Sequence, residues 1–115
     1  MNSALGFAQA AEFSFEDDTH RFGTVTEGEQ LYHAYPFTNV GEEPLFITNV
    51  KVSCMCTKYK FPMKPVPVGA KDTIHVYFDT KGKAGYQIRD LFITANTKSN
   101  PTKIRFKALV KKNKE

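Results

Sequence analysis

Apolar and polar residues alternate with a period of two along most of this chain. In Thr73–Asp79, Ile74, Val76 and Phe78 share one face. In Lys103–Val110, Ile104, Phe106, Ala108 and Val110 point one way and Arg105 and Lys107 the other. Gln87–Ala95 places Leu91, Ile93 and Ala95 together, and Gln30–Asn39 does the same for Leu31, His33, Tyr35 and Phe37. Leu45–Cys54 is a further strand, with Leu45, Ile47 and Asn49 opposite Phe46, Thr48 and Val50. Shorter extended pieces are expected at Phe13–Phe15, Phe22–Val25 and Lys58–Phe61.

Between these runs lie turn residues: Asp17-Asp18-Thr19, Glu27-Gly28-Glu29, Val40 to Pro44, Lys81 to Gly85 and Asn96 to Pro101. Pro62, Pro65, Pro67 and Gly69 mark one long irregular crossover. Pro36 removes a ladder donor and must face an edge or a bulge. No segment carries a useful helical period. Short strands at regular spacing predict an all-β, Ig-like antiparallel β-sandwich of about seven strands in two sheets about 10 Å apart. Phe37, Ile47, Val76, Phe78, Leu91, Ile93, Ile104 and Phe106 are its expected core.

The chain has 115 residues, the size of one domain. No apolar run approaches the roughly 18 residues of a membrane-spanning helix. The net charge of +4 draws on the tail Lys111, Lys112 and Lys114 and the loop Lys81 and Lys83. A solvated basic tail explains this more simply than nucleic-acid binding, and no recognition-helix pattern or stacking stripe accompanies it. At the N-terminus, Ala8-Gln9-Ala10 has the form of a secretory cleavage site. The expected division is therefore a signal remnant or disordered tail over 1–11, the sandwich over 12–111, and a basic tail over 112–115. That division implies export.

Cys54 and Cys56 are the only cysteines and cannot staple distant strands. In an exported protein they are bonded to each other, paired with another molecule, metal-bound or free. In an extended strand their Cα atoms would stand about 6.5–7 Å apart, at the limit for a disulfide, so a mutual bond needs a bent backbone. Two thiolates with Met55 or Met63 and His33 or His75 would suit a soft metal, although the usual second ligand pair is missing. The reading that asks least is a structural corner with small, partly buried thiols. His33, on an apolar strand face, reads as a core or sheet-end histidine. Asn39 before Gly41 reads as a turn former, and Glu27, Glu29, Glu42 and Glu43 as solvated loop carboxylates. No catalytic triad order, phosphate loop or zinc-protease motif is present, so no enzyme and no cofactor is expected.

Several of these residues carry a resemblance. Phe22 to Val25, Glu27 to Glu29, His33 to Gly41, Pro44 to Ile47, Ser53 to Thr57, Pro65 to Gly69 and Phe78 to Gly85 follow in order a pattern similar to the bacterial DUF1573 family, common in Bacteroidetes. The resemblance spans nearly the whole chain after Glu12. It implies an Ig-like sandwich related to ASH and major-sperm-protein domains, placed in the periplasm or at the surface of a Gram-negative cell, with no established activity. Met55 stands where the family has glycine between the cysteines; if that glycine serves a positive-φ turn, Met55 is strained.

The function expected is a non-enzymatic binding module for a protein or peptide. Met63, Val66 and Val68 in the proline-rich loop, joined to the Cys54–Thr57 corner, are the expected docking surface. The alternative is a redox or soft-metal protein acting through Cys54-Met55-Cys56.

Overall fold

The computed structural model describes residues 10–113. Eight strands run in chain order: β1 (Phe13–Phe15), β2 (Thr19–Thr26), β3 (Gln30–Asn39), β4 (Ile47–Val52), β5 (Thr57–Lys60), β6 (Lys71–Asp79), β7 (Gly85–Ala95) and β8 (Thr102–Lys111). They form two four-stranded sheets, ordered β1-β3-β6-β5 and β2-β8-β7-β4. The inner faces meet in one core of Tyr35, Phe37, Leu45, Ile74, Phe78, Leu91, Ile93, Ile104 and Phe106, each almost wholly buried. Seven of the eight expected core residues are buried, and Ile47 is half-buried against them.

The first strand divides between the sheets. β1 pairs antiparallel with β3, and β2 then crosses over to pair parallel with β8. Asp17 and Asp18 make the crossing: the Asp17 carboxylate accepts the Thr19 N–H at 3.0 Å, and the Asp18 carbonyl accepts the Arg105 N–H at 2.8 Å. The second sheet is therefore mixed rather than purely antiparallel. β1 ends at Phe15 opposite Phe37, so Pro36 stands where its missing N–H faces no strand, as its chemistry demands.

Two bulges reset the alternation. In β2, one extra residue lies between Arg21 and Thr24, and Gly23 there has φ of 76°. This lets Phe22 and Val25, three apart, both pack on the core. In β4, Thr48 is the extra residue between Ile47 and Asn49. Val50 therefore turns inward and Asn49 outward, the reverse of the expected assignment. A strict period of two cannot survive one inserted residue.

The fold also begins earlier than expected. Ala11 is buried, bridges Thr97, and donates its N–H to the Asn96 carbonyl at 3.2 Å. The Ala10 carbonyl accepts the Glu42 N–H at 2.8 Å. Most of the expected signal remnant lies outside the described residues, as does the end of the basic tail.

Candidate functional site

The cysteine corner joins β4 of one sheet to β5 of the other. Three constraints shape it. The Thr57 N–H donates to the Cys54 carbonyl at 3.1 Å, which closes a four-residue turn. The Cys56 carbonyl accepts the Asp79 N–H at 3.1 Å, which ties the turn to the end of β6. Cys54 and Cys56 are bonded to each other, with Cα atoms 5.2 Å apart. The partly buried free thiols of the least demanding reading are thus replaced by a disulfide. The turn shortens the Cα separation below that of an extended strand, which makes the bond possible. Among the described residues only glycines have positive φ, so Met55 adopts the turn without left-handed strain. At the tip Met55 is 92% exposed.

Behind the corner the interior is polar. Thr57 is buried and its hydroxyl has no hydrogen-bond partner. Arg89 points inward from β7, places its guanidinium 5.3 Å from the centre of the Phe78 ring, and donates to the Gln87 side chain at 2.6 Å. Phe78 is directly opposite Thr57 in the β5–β6 ladder. Thr80 closes this end: its hydroxyl accepts the Gly28 N–H at 2.8 Å and donates to the Glu29 carbonyl at 2.7 Å.

The proline-rich loop belongs to the other end. Gly69 donates to the Asn39 carbonyl and Asn39 to the Ala70 carbonyl, at 2.8 and 3.0 Å. The corner sits beside Asp79 and this part of the loop beside Lys71, so the nine residues of β6 separate them. At about 3.4 Å per residue that is roughly 27 Å. The corner and the loop's Val68 therefore do not form one surface. Val66 is not a contact residue either: it is 2% exposed and pairs with Leu45 in a two-way backbone bridge. The bridge turns its side chain into the core. Met63 and Val68 remain exposed, at 86% and 53%.

Four of the soft-metal candidates, Cys54, Cys56, Met63 and His33, do not converge. Cys54 and Cys56 are bonded to each other, Met63 follows β5 toward the other end, and His33 lies on β3, separated from β5 by β6. His33 instead stacks on His20 of β2, with ring centres 3.6 Å apart and planes 9° apart. Phe22 and Tyr35 meet these rings edge-on. Burial lowers the His33 pKa, His20 lowers it further, and the Asp17 carboxylate opposes both. This pair bridges the two sheets along the open side that β1 leaves. The sequence marked His33 but gave no signal for its partner: a three-residue turn joins β2 to β3, and only their placement in facing sheets stacks His20 on His33.

Asn39 does more than form a turn. It is wholly buried and all four of its side-chain positions are used. Its oxygen accepts the N–H groups of Glu12 and Gly41 at 3.2 and 3.0 Å; its nitrogen donates to the carbonyls of Glu43 and Val66 at 2.7 and 3.0 Å. The N-terminal segment, the β3–β4 loop and the proline-rich loop thus share one anchor. A groove of about 680 Å³ opens beside it, where Glu12, Asp18 and Glu42 face Lys98 and Lys103. Its mixed charge favours no one ligand.

A family model described as a protein of unknown function (DUF1573) matches residues 13–110. No curated protein matches the chain. Among solved structures, a protein of unknown function from Porphyromonas gingivalis superposes with a TM-score of 0.77 at 20% identity, over 92% of this chain and 50% of that one. This chain thus spans half the length of that protein. The ASH/PapD-like domain of human CEP192 matches with a TM-score of 0.65 at 8% identity, over 91% of this chain and 89% of the domain. The secreted serine protease VesC of Vibrio cholerae matches with a TM-score of 0.65 at 15% identity, over 85% of this chain but 23% of the protease. At these identities the likeness shows the sandwich fold alone, and none of these likenesses points to redox activity.

Proposed function

We propose a function on one premise: the chain belongs to the DUF1573 family. It is an exported, non-enzymatic interaction module that captures a protein or peptide partner at the Cys54–Cys56 corner. One observation carries this reading. Met55 is 92% exposed at the tip of a turn closed by both a disulfide and a hydrogen bond. An unbranched, polarizable thioether in that position contributes nothing to the core, yet adapts well to an apolar partner surface. The corner holds its backbone in place, so binding there would cost little ordering entropy.

The bonded cysteines support an oxidising compartment, hence the periplasm or cell surface. The match to a domain of human CEP192 supports the module reading at the level of fold. Met63 and Val68 are a separate exposed pair near the opposite end and are not needed for this site.

A photoreactive residue placed at position 55, with one at position 63 as the comparison, tests the proposal in cells that make the protein. A discrete adduct from position 55 that is lost when the partner is competed away supports it. No adduct from position 55, or equal adducts from both positions, overturns it.

A further inference from the structure

Both outer sheet faces are cationic, but unequally: the rows of the β1-β3-β6-β5 face present Lys58, Lys60 and Lys71 against Asp79, and the other face presents more. On the β2-β8-β7-β4 face, ladder register and burial place Arg21 on β2, Lys51 on β4, and Lys103, Arg105, Lys107 and Lys111 on β8. The only carboxylate among these rows is Asp90, which Arg105 holds by two hydrogen bonds of 2.6 and 3.1 Å. Six cations and one acid stand here, against ten cations and eleven acids in the rest of the chain. This single face therefore holds more than the whole net charge of +4, and the remainder of the chain is slightly acidic.

The same face carries apolar groups. Tyr86 is 78% exposed and lies opposite Leu109; Ile88 is 49% exposed and lies opposite Lys107. The cations spread over three of four adjacent strands, about 14 Å across, and run eight residues along β8, about 27 Å. Four of the six stand in line along β8, with Arg21 beside Lys107 on β2 and Lys51 across the sheet on β4.

The geometry points to an anionic lipid bilayer surface as the occupant of this face. A linear polyanion would engage the line of charge alone, whereas the apolar side chains exposed beside the six cations have a use only at an interface. An exposed tyrosine and isoleucine among them suit the interface, where an amphipathic ring sits at headgroup level. Each lysine or arginine near such a surface is worth about fivefold in partitioning, and the attraction weakens as salt shortens its range. The chain would lie with this sheet against the bilayer, leaving the opposite face, with Tyr32, His75 and Tyr77, in water.

Flotation of the full chain with phosphatidylcholine vesicles, with and without about a third phosphatidylglycerol, tests this. Binding is expected only with the anionic lipid, and it falls steeply when salt is raised from about 0.1 to about 0.5 M. A Lys51→Gln, Lys103→Gln, Lys107→Gln variant is expected to bind about a hundredfold more weakly. A Lys58→Gln, Lys60→Gln, Lys64→Gln variant, which removes the same charge elsewhere, should stay within about threefold. A Tyr86→Ser, Ile88→Ser variant should weaken vesicle binding about tenfold without altering retention on soluble polyglutamate. Equal losses in the two lysine variants overturn the proposal. So does binding to neutral vesicles alone, or tighter capture of polyglutamate or a single-stranded oligonucleotide by the same face.

Discussion

The two ends of the sandwich are closed by different chemistry. At one end the buried Asn39 gathers three chain segments through four hydrogen bonds, and Gly41 lets the N-terminal segment pass close by. At the other end Thr80 holds the β2–β3 turn, and a disulfide shapes a corner whose tip points into solvent. Both ends carry a conspicuous short motif, Asn-x-Gly and Cys-x-Cys. The first is structural throughout. The second has a structural base and a tip with no structural task, which is why the proposed docking site belongs there.

The largest effect should come from the Asn39 end. Asn39→Ala leaves two N–H groups and two carbonyls without their buried partner and should cost about 3–4 kcal/mol, read as a lowered urea midpoint. Gly41→Ala sharpens the point. A Cβ there would stand 2.6 Å from the Ala11 Cα, which is backbone and cannot swing away. A loss of about 2–3 kcal/mol is expected, with faster amide exchange at Ala11 if the segment is displaced. If either variant melts like the parent, the contrast between the ends is lost.

The proline-rich loop gives the next test. Val66→Ser puts a hydroxyl into a buried site and should cost about 2–3 kcal/mol, whereas Val68→Ser should stay within about 0.5 kcal/mol. Equal effects would mean that the Leu45–Val66 bridge does not anchor the loop.

The corner comes third. Reducing Cys54–Cys56 reopens a loop of only three residues, so the chain-entropy account gives about 1.5 kcal/mol, less than a long-loop disulfide. Met55→Ser should change stability by less than about 0.5 kcal/mol while abolishing partner capture. A large loss of stability would return the tip to a structural role.

Between the ends, the stacked histidines predict a mild pH dependence. The folded His33 pKa lies below its unfolded value of 6.5. The unfolded chain therefore binds more protons through that range. The histidine contribution is complete above about pH 6.5 and is lost as pH falls through the lowered folded value. His33→Phe should flatten this part of the profile. A profile that stays as steep without His33 would assign the dependence to other groups.

The sequence alone determined which faces of β3, β6, β7 and β8 are buried. Those strands keep an unbroken period of two, and burial follows from alternation. It also placed the turns, since glycine, proline and asparagine act locally. Tertiary structure alone decided where alternation slips, because the extra residue at Thr48 is defined only by its partner strand β7. It decided that β1 and β2 part company between the sheets, that Val66 turns inward against Leu45, and that His20 finds His33. It also gathered six cations from three strands onto one sheet face while the sequence showed only scattered lysines and arginines. In each case the deciding partner lies on another strand, and a pattern read over neighbouring residues contains no record of it.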